Sequence, residues 1–176
     1  YHVEAEKEID YLDEKESKFE KAKAIIQGMI LSGDNVFLDK DKNLTLDTNI
    51  LGISPNGWEI KASELKYSKE TQELISVKPM YAKNKEKGVE ILANKFKTTI
   101  SMDNITLEDG VVIKNKLFSI LADKANYDNN TKIITLEGNI KLSNRIGEIG
   151  DINTLKDVKS LENTSNNKKE KEMSGT

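Results

Sequence analysis

Apolar and polar positions along this chain fall into a pattern that comes back twice. Trp58, Ile60, Ala62, Leu65 and Tyr67 return as Val89, Ile91, Ala93, Phe96 and Thr98, then as Phe118, Ile120, Ala122, Ala125 and Tyr127. The steps are 31 residues (58 to 89) and 29 residues (89 to 118). A period in that range marks a stacked repeat. The second half of each unit repeats as well: Ile105, Thr106, Leu107 and Glu108 return as Ile134, Thr135, Leu136 and Glu137, followed by Gly138. Ile75, Ser76 and Val77 take the same places in the first unit if one residue is inserted before Ile75, with Pro79 standing for Gly138.

Each unit reads as two strands joined by a tight polar turn. Trp58, Ile60 and Ala62 alternate at period 2. The gap before Leu65 breaks that parity, which predicts a bulge or bend near Ser63 and Glu64. Ser68-Lys69-Glu70 and Asp128-Asn129-Asn130 are the turns, and Pro79, which cannot donate to a ladder, belongs at a bulge or an edge. Ile134, Leu136, Gly138, Ile140 and Leu142 alternate cleanly. Upstream, Met29 to Leu38 and Leu44 to Leu46 read as strands around the polar turn Asp39–Asn43, and Ser54-Pro55-Asn56-Gly57 is a further turn. Ile146, Ile149 and Ile152 read as a truncated fourth unit.

The ends differ from this. Ala5, Ile9, Leu12, Phe19, Ala22 and Ile26 recur at mostly three- and four-residue steps among Glu, Lys and Asp, which predicts a helix over 3–27. Residues 153–176 are polar and rich in lysine and glutamate, and read as a disordered tail. The expected organisation is therefore a helix at 3–27, a β domain at 29–152 and a tail at 153–176.

Charge and composition narrow the function. Charged residues make up 32% of the chain and hydrophobic ones 36%, so the core is lean. A net charge of -3, with Arg145 as the only arginine, argues against nucleic acid. The absence of cysteine excludes disulfides and thiolate metal sites. No apolar run is long enough to span a membrane, while a chain that begins at Tyr1 leaves room for a removed leader or anchor.

Candidate chemistry is sparse. The only histidine is His2, and no serine has a histidine nearby to activate it. Glu108 and Glu137 occupy matching places but read as the outward face of a strand rather than an acid–base pair. Asp39, Asp41 and Asn43 are spaced like the start of a calcium loop, without its glycine or its closing glutamate. No cofactor or metal site is expected. What remains is an apolar face with Ala62, Ala93 and Ala122 at one level, which either allows close packing or leaves room for an acyl chain.

The third unit carries a resemblance. Ile120-Leu121-Ala122, Tyr127-Asp128, Thr131 and Ile134-Thr135-Leu136-Glu137-Gly138-Asn139-Ile140-Lys141-Leu142 resemble the repeated strand pairs of the OstA-like family of periplasmic lipopolysaccharide-transport (Lpt) proteins. Gly33, Val36 and Leu38 resemble the tail of an earlier unit. The resemblance covers about residues 30–152, and the middle unit departs from it by lacking Tyr-Asp. Size and the expected helix make the chain most similar to the inner-membrane-anchored member.

That resemblance implies a mainly β protein, a partly open twisted β-jellyroll of antiparallel strand pairs behind one N-terminal α-helix. Its interior would face lipopolysaccharide acyl chains through Trp58, Ile60, Ala62, Leu65, Tyr67, Ile75 and Val77 of the first unit. Ile91, Ala93, Phe96, Ile105 and Leu107 of the second and Phe118, Ile120, Ala122, Ile134, Leu136 and Ile140 of the third would continue it. It also implies a non-catalytic bridge in the periplasm, tethered by an anchor before Tyr1. Its edge strands would pair with the inner-membrane transporter and the next bridge protein. Two other readings are open: a structural or adhesive β-solenoid with a dry core, and a parallel β-helix carbohydrate lyase. The tight polar turns favour the jellyroll.

Overall fold

A computed structural model describes residues 2–11 and 16–144. It contains thirteen strands: β1 (His2–Tyr11), β2 (Glu16–Ile26), β3 (Met29–Leu38), β4 (Leu44–Ile53), β5 (Trp58–Ser68), β6 (Glu73–Ser76), β7 (Met80–Asn84), β8 (Val89–Thr99), β9 (Asn104–Lys114), β10 (Phe118–Ala122), β11 (Lys124–Asp128), β12 (Ile133–Glu137) and β13 (Lys141–Asn144). Every pairing is antiparallel, between sequence neighbours or across a broken strand. β6 and β7 lie end to end between β5 and β8, and β10 and β11 lie end to end along β9. β13 and β12 continue that order outward. The meander excludes the parallel solenoid and the parallel β-helix.

The helix expected over 3–27 is instead two strands, β1 and β2, paired from His2–Ile25 to Tyr11–Glu16. In β2 the buried residues are Phe19, Ala22, Ala24 and Ile26. The single three-residue step inside an otherwise alternating run mimics helical spacing. It has another cause: the strand changes parity midway.

That change of parity occurs across the sheet and forms a crease. In β3 the core side runs Met29, Leu31 and Gly33, then Val36; in β8 it runs Ile91 and Ala93, then Phe96. The bulge expected near Ser63 is here, where Ala62 pairs with Ile50 but Glu64 pairs with Asp47. The facing strands absorb the mismatch with pairs of left-handed residues. Thr48 and Asn49 have φ of 67° and 53°, Asp109 and Gly110 62° and 98°, and Gly138 and Asn139 76° and 49°. Pro79 cannot take a positive φ, so the matching strand breaks between β6 and β7 instead.

The crease divides the sheet into two leaves. Leaf A holds residues 22–33, 50–62, 80–93, 111–122 and 141–144; leaf B holds 16–20, 35–47, 64–76, 95–108 and 124–137. Core residues of both leaves, including Ile60, Ile91 and Ile113 of A and Leu65, Phe96 and Leu107 of B, form one buried cluster. The leaves therefore close face to face as a jellyroll. The turns at the tips of leaf B keep the period strictly: Lys42, Gln72, Met102 and Lys132 each have positive φ, at φ 68°, 56°, 61° and 63°. The repeat thus begins earlier than the Trp58 stretch, because β3 and β4 form a complete unit of the same kind.

Residues 145–176, which contain the expected truncated unit and tail, lie outside the described residues.

Candidate functional site

The three alanines of the repeat sit along the crease, and their register explains them. Ile50 pairs with Ala62, Ala62 with Met80, Met80 with Ala93, Ala93 with Val111 and Val111 with Ala122. Small and large residues alternate across six strands, and Met80, Ala93, Val111 and Ala122 are each at most 3% exposed. Here the alanines allow close packing: their room is filled by Ile50, Met80 and Val111.

Most of the expected interior residues are in the core. Trp58, Ile60, Leu65, Tyr67, Ile91, Ala93, Phe96, Ile105, Leu107, Ile120, Ala122 and Ile140 are buried. Ala62, Phe118 and Leu136 are partly buried against the core. Two placements in the first unit are corrected. Leu74 and Ser76 face the core, Ile75 points the other way and Val77 is 60% exposed. No residue needs inserting before Ile75, since Leu74 stands 31 positions before Ile105 just as Trp58 does before Val89. Ile134, at 40% exposed, reaches the core only at its margin.

Two concavities stand out. The larger, about 780 Å³, is an open trough over the crease, lined by Thr48, Asn49, Ser63, Lys78 and Pro79. Its other walls include Leu51, Lys61, Tyr81 and Leu92, whose register puts them on the face opposite Ile60, Ala82 and Ile91. It therefore opens on the outer face of the sheet, and Ile50, Ala62 and Met80 of the crease also line it. Burial, helped by a bond to Glu90 at 3.0 Å, pushes the Tyr81 phenol up to about 12, so its hydroxyl stays neutral.

The smaller concavity lies between the leaves and is more enclosed. Its volume is about 60 Å³, lined by Trp58, Val89, Ile91 and Ile113 of leaf A, Leu107, Ala125, Tyr127 and Ile134 of leaf B, and Lys87 at the turn between β7 and β8. Its lining residues are apolar apart from Trp58, Tyr127 and Lys87, which carry polar groups, and two of these matter. Trp58 is 2% exposed, and its indole Nε1–H is buried without a hydrogen-bond partner. Buried donors of this kind are normally satisfied.

Lys87 spans the seam where the tips of the leaves meet. Its Nζ donates to Asn129 Oδ1 at 2.6 Å and to Tyr127 Oη at 3.1 Å. The ammonium also lies 5.2 Å from the Tyr127 ring centre and 5.9 Å from that of Trp58. The turn that presents it is built by Asn84, 1% exposed, whose Oδ1 accepts from Lys87 N–H at 3.1 Å and whose Nδ2 donates to Asn56 O at 3.1 Å. Gly88, with φ 65°, lets the chain turn back into β8. Asn56 donates to Ser101 O across the same seam at 3.5 Å.

The remaining candidate chemistry resolves into structure. Asp39 Oδ1 accepts from the backbone N–H groups of Asp41 and Asn43 at 2.8 and 2.9 Å, so this carboxylate organises its turn. Glu108 pairs in register with Lys95 across β8 and β9, while Glu137 lies on β12 beside Lys124. Among the described residues no group of three His, Cys, Asp or Glu side chains is placed to hold a metal. No helix there is long and apolar enough to cross a membrane, which says nothing of a β-barrel.

The described residues thus form a creased antiparallel β-jellyroll with an apolar cavity at its seam. No family model and no curated protein matches the chain. Among solved structures it is similar to LptH of Pseudomonas aeruginosa, described as the LptA-homologous periplasmic component of the conserved lipopolysaccharide transport device. The TM-score is 0.34 and the identity 11%, with 81% of this chain and 92% of that one covered. At that overlap the likeness carries no argument for ligand or partner.

Proposed function

We propose that this chain is a non-catalytic lipid-binding component of a periplasmic lipopolysaccharide bridge, holding acyl chains between its leaves and passing them along the jellyroll. The observation that carries this reading is the apolar cavity between the leaves, whose seam is crossed by exposed side-chain hydrogen bonds from Lys87 and Asn56. The residues that resemble the OstA-like repeat support it. So does the arrangement of edges: among the described residues β1 is outermost on one side and β12 and β13 on the other. Outer strands offer backbone groups to an added strand from a transporter or a neighbouring bridge protein. The helix that pointed to the anchored member, LptC, is two strands of the sheet, and its support for that member and for a membrane tether falls away.

A photocrosslinker at Ile91, which is 3% exposed and lines the cavity, should capture lipopolysaccharide, whereas one at Glu108 should not. Equal capture at both sites, or none at Ile91, would sink the proposal. A second reading is favoured by the filled crease: a structural or adhesive β module with a dry core. It predicts no capture at Ile91 and self-association through edges, which light scattering at rising concentration would reveal.

A further inference from the structure

We propose that the seam cavity takes an acyl chain carrying an anionic head group, with Lys87 as the counter-charge and the Trp58 indole N–H as a donor to an oxygen of the ligand. This deepens the lipid-binding reading and rests on it.

The two polar features of the cavity point to the same ligand chemistry. A purely hydrocarbon ligand would leave the Trp58 Nε1–H as unsatisfied as it is now. A ligand with an acceptor oxygen near the end of its chain would give that donor a partner. Lys87 supplies the matching charge at the mouth, over the faces of Trp58 and Tyr127. Its present partners, the Tyr127 hydroxyl and the Asn129 carbonyl, are neutral. An anion would exchange these ion–dipole bonds for an ion pair in which donor and acceptor are both charged.

The same exchange explains how a chain could enter. A volume of about 60 Å³ admits only the end of an acyl chain, so deeper insertion must part the leaves. Lys87 is one of the residues that ties them together here, joining positions 40 and 42 residues apart. An anion that draws the ammonium away from Tyr127 and Asn129 loosens the seam as the chain enters beneath it. Head-group recognition and opening are then one event.

Trp58 is the only tryptophan in the chain, so its fluorescence reports on this cavity alone. The test is a titration of the full chain with dodecyl phosphate and, separately, with uncharged monolauroylglycerol, both below their micelle concentrations. Both should change the emission, with the phosphate binding about tenfold more tightly. Lys87→Met should abolish that preference, read as the ratio of the two affinities within the variant, and Lys87→Arg should keep it. The single indole N–H resonance should move on adding dodecyl phosphate. Equal affinities in the unmodified chain, a preference that survives Lys87→Met, or an unmoved indole resonance would overturn the head-group inference alone. Failure of both lipids to bind would overturn the lipid-binding reading with it.

Discussion

The crease and the seam lie at opposite ends of every strand arm, and they are made of different materials. At the crease the backbone fixes the shape: paired left-handed residues, a broken strand at Pro79 and an alternation of small and large side chains from Ile50 to Ala122. At the seam the leaves are joined by side chains of turn residues, Lys87 to Tyr127 and Asn129, and Asn56 to Ser101. Bending at the crease requires new backbone conformations, whereas parting the tips of the leaves at the seam first breaks exposed side-chain hydrogen bonds. A jellyroll built this way is a hinge with a stiff spine and a releasable lip.

The sharpest way to break that comparison is to ask whether the seam is soft all the way down. It should not be, because directly beneath the Lys87 bonds lies Trp58, 2% exposed and part of the common core. Trp58→Ala should cost about 3 kcal/mol in urea unfolding, near the low end for such a truncation because a cavity already adjoins it. A loss under about 1 kcal/mol would mean that the leaves are loosely packed there and the lip extends into the core.

At the crease, the tightest point is Gly138. Its φ is 76°, and a Cβ built there would strike the Asp123 carboxylate. Asp123 holds the crease from the other side: its N–H donates to Gly138 O at 2.9 Å, its carbonyl accepts from Gly110 N–H at 3.0 Å and its carboxylate accepts from Asn139 at 2.9 Å. Gly138→Ala should destabilise the fold by about 2 kcal/mol, combining left-handed strain with the clash. Asp123→Ala in the same chain should recover part of that loss, since the two residues are in contact. Strict additivity would show that strain alone, rather than the clash, sets the cost.

The crease also explains what was and was not legible in the sequence. The step from Ala62 to Leu65 announced a bulge, and Ser54–Gly57 and the polar turns announced hairpins; all depend on local chemistry. The N-terminal strands read as a helix because a parity change inserts a three-residue step, and Phe19-x-x-Ala22 among lysines and glutamates looks helical in isolation. Ile75 and Val77 read as inward when one residue is inserted before Ile75, whereas the first unit carries its extra length at the strand break near Pro79. The alanines were recognisable as a set. Their meaning lay in Ile50, Met80 and Val111, which only register brings beside them. Lys87 had no signal at all, being one lysine of a polar turn until the leaves close and set it against Tyr127.

A gain of stability should be available at the crease. Thr48 has a φ of 67°, a conformation in which a β-branched side chain is strained, and its hydroxyl reaches only the exposed carboxylate of Asp47, at 3.1 Å. Thr48→Asn should raise stability by about 1 kcal/mol, measured as an upward shift of the urea midpoint with an unchanged slope. No gain would indicate that the crease tolerates left-handed residues at little cost, which would make it less rigid than its geometry suggests.

The smallest expected effect on global stability is the most telling about the seam. Lys87 is exposed and bonded to neutral partners, so Lys87→Met should change unfolding free energy by less than about 0.5 kcal/mol. Its consequence should appear locally. Amide exchange in the turns at 84–88 and 129–132 should rise several-fold, while the crease amides of Asp123 and Gly110, which are bonded across strands, keep their protection. The reason is that local opening needs only the free energy of the bonds it breaks, and at this tip those are side-chain bonds already bathed in water. If exchange rises equally at the crease, the two regions open together and the hinge is not confined to one end. If exchange rises only in the turns, the lip can part without disturbing the spine, as entry of an acyl chain from the side requires.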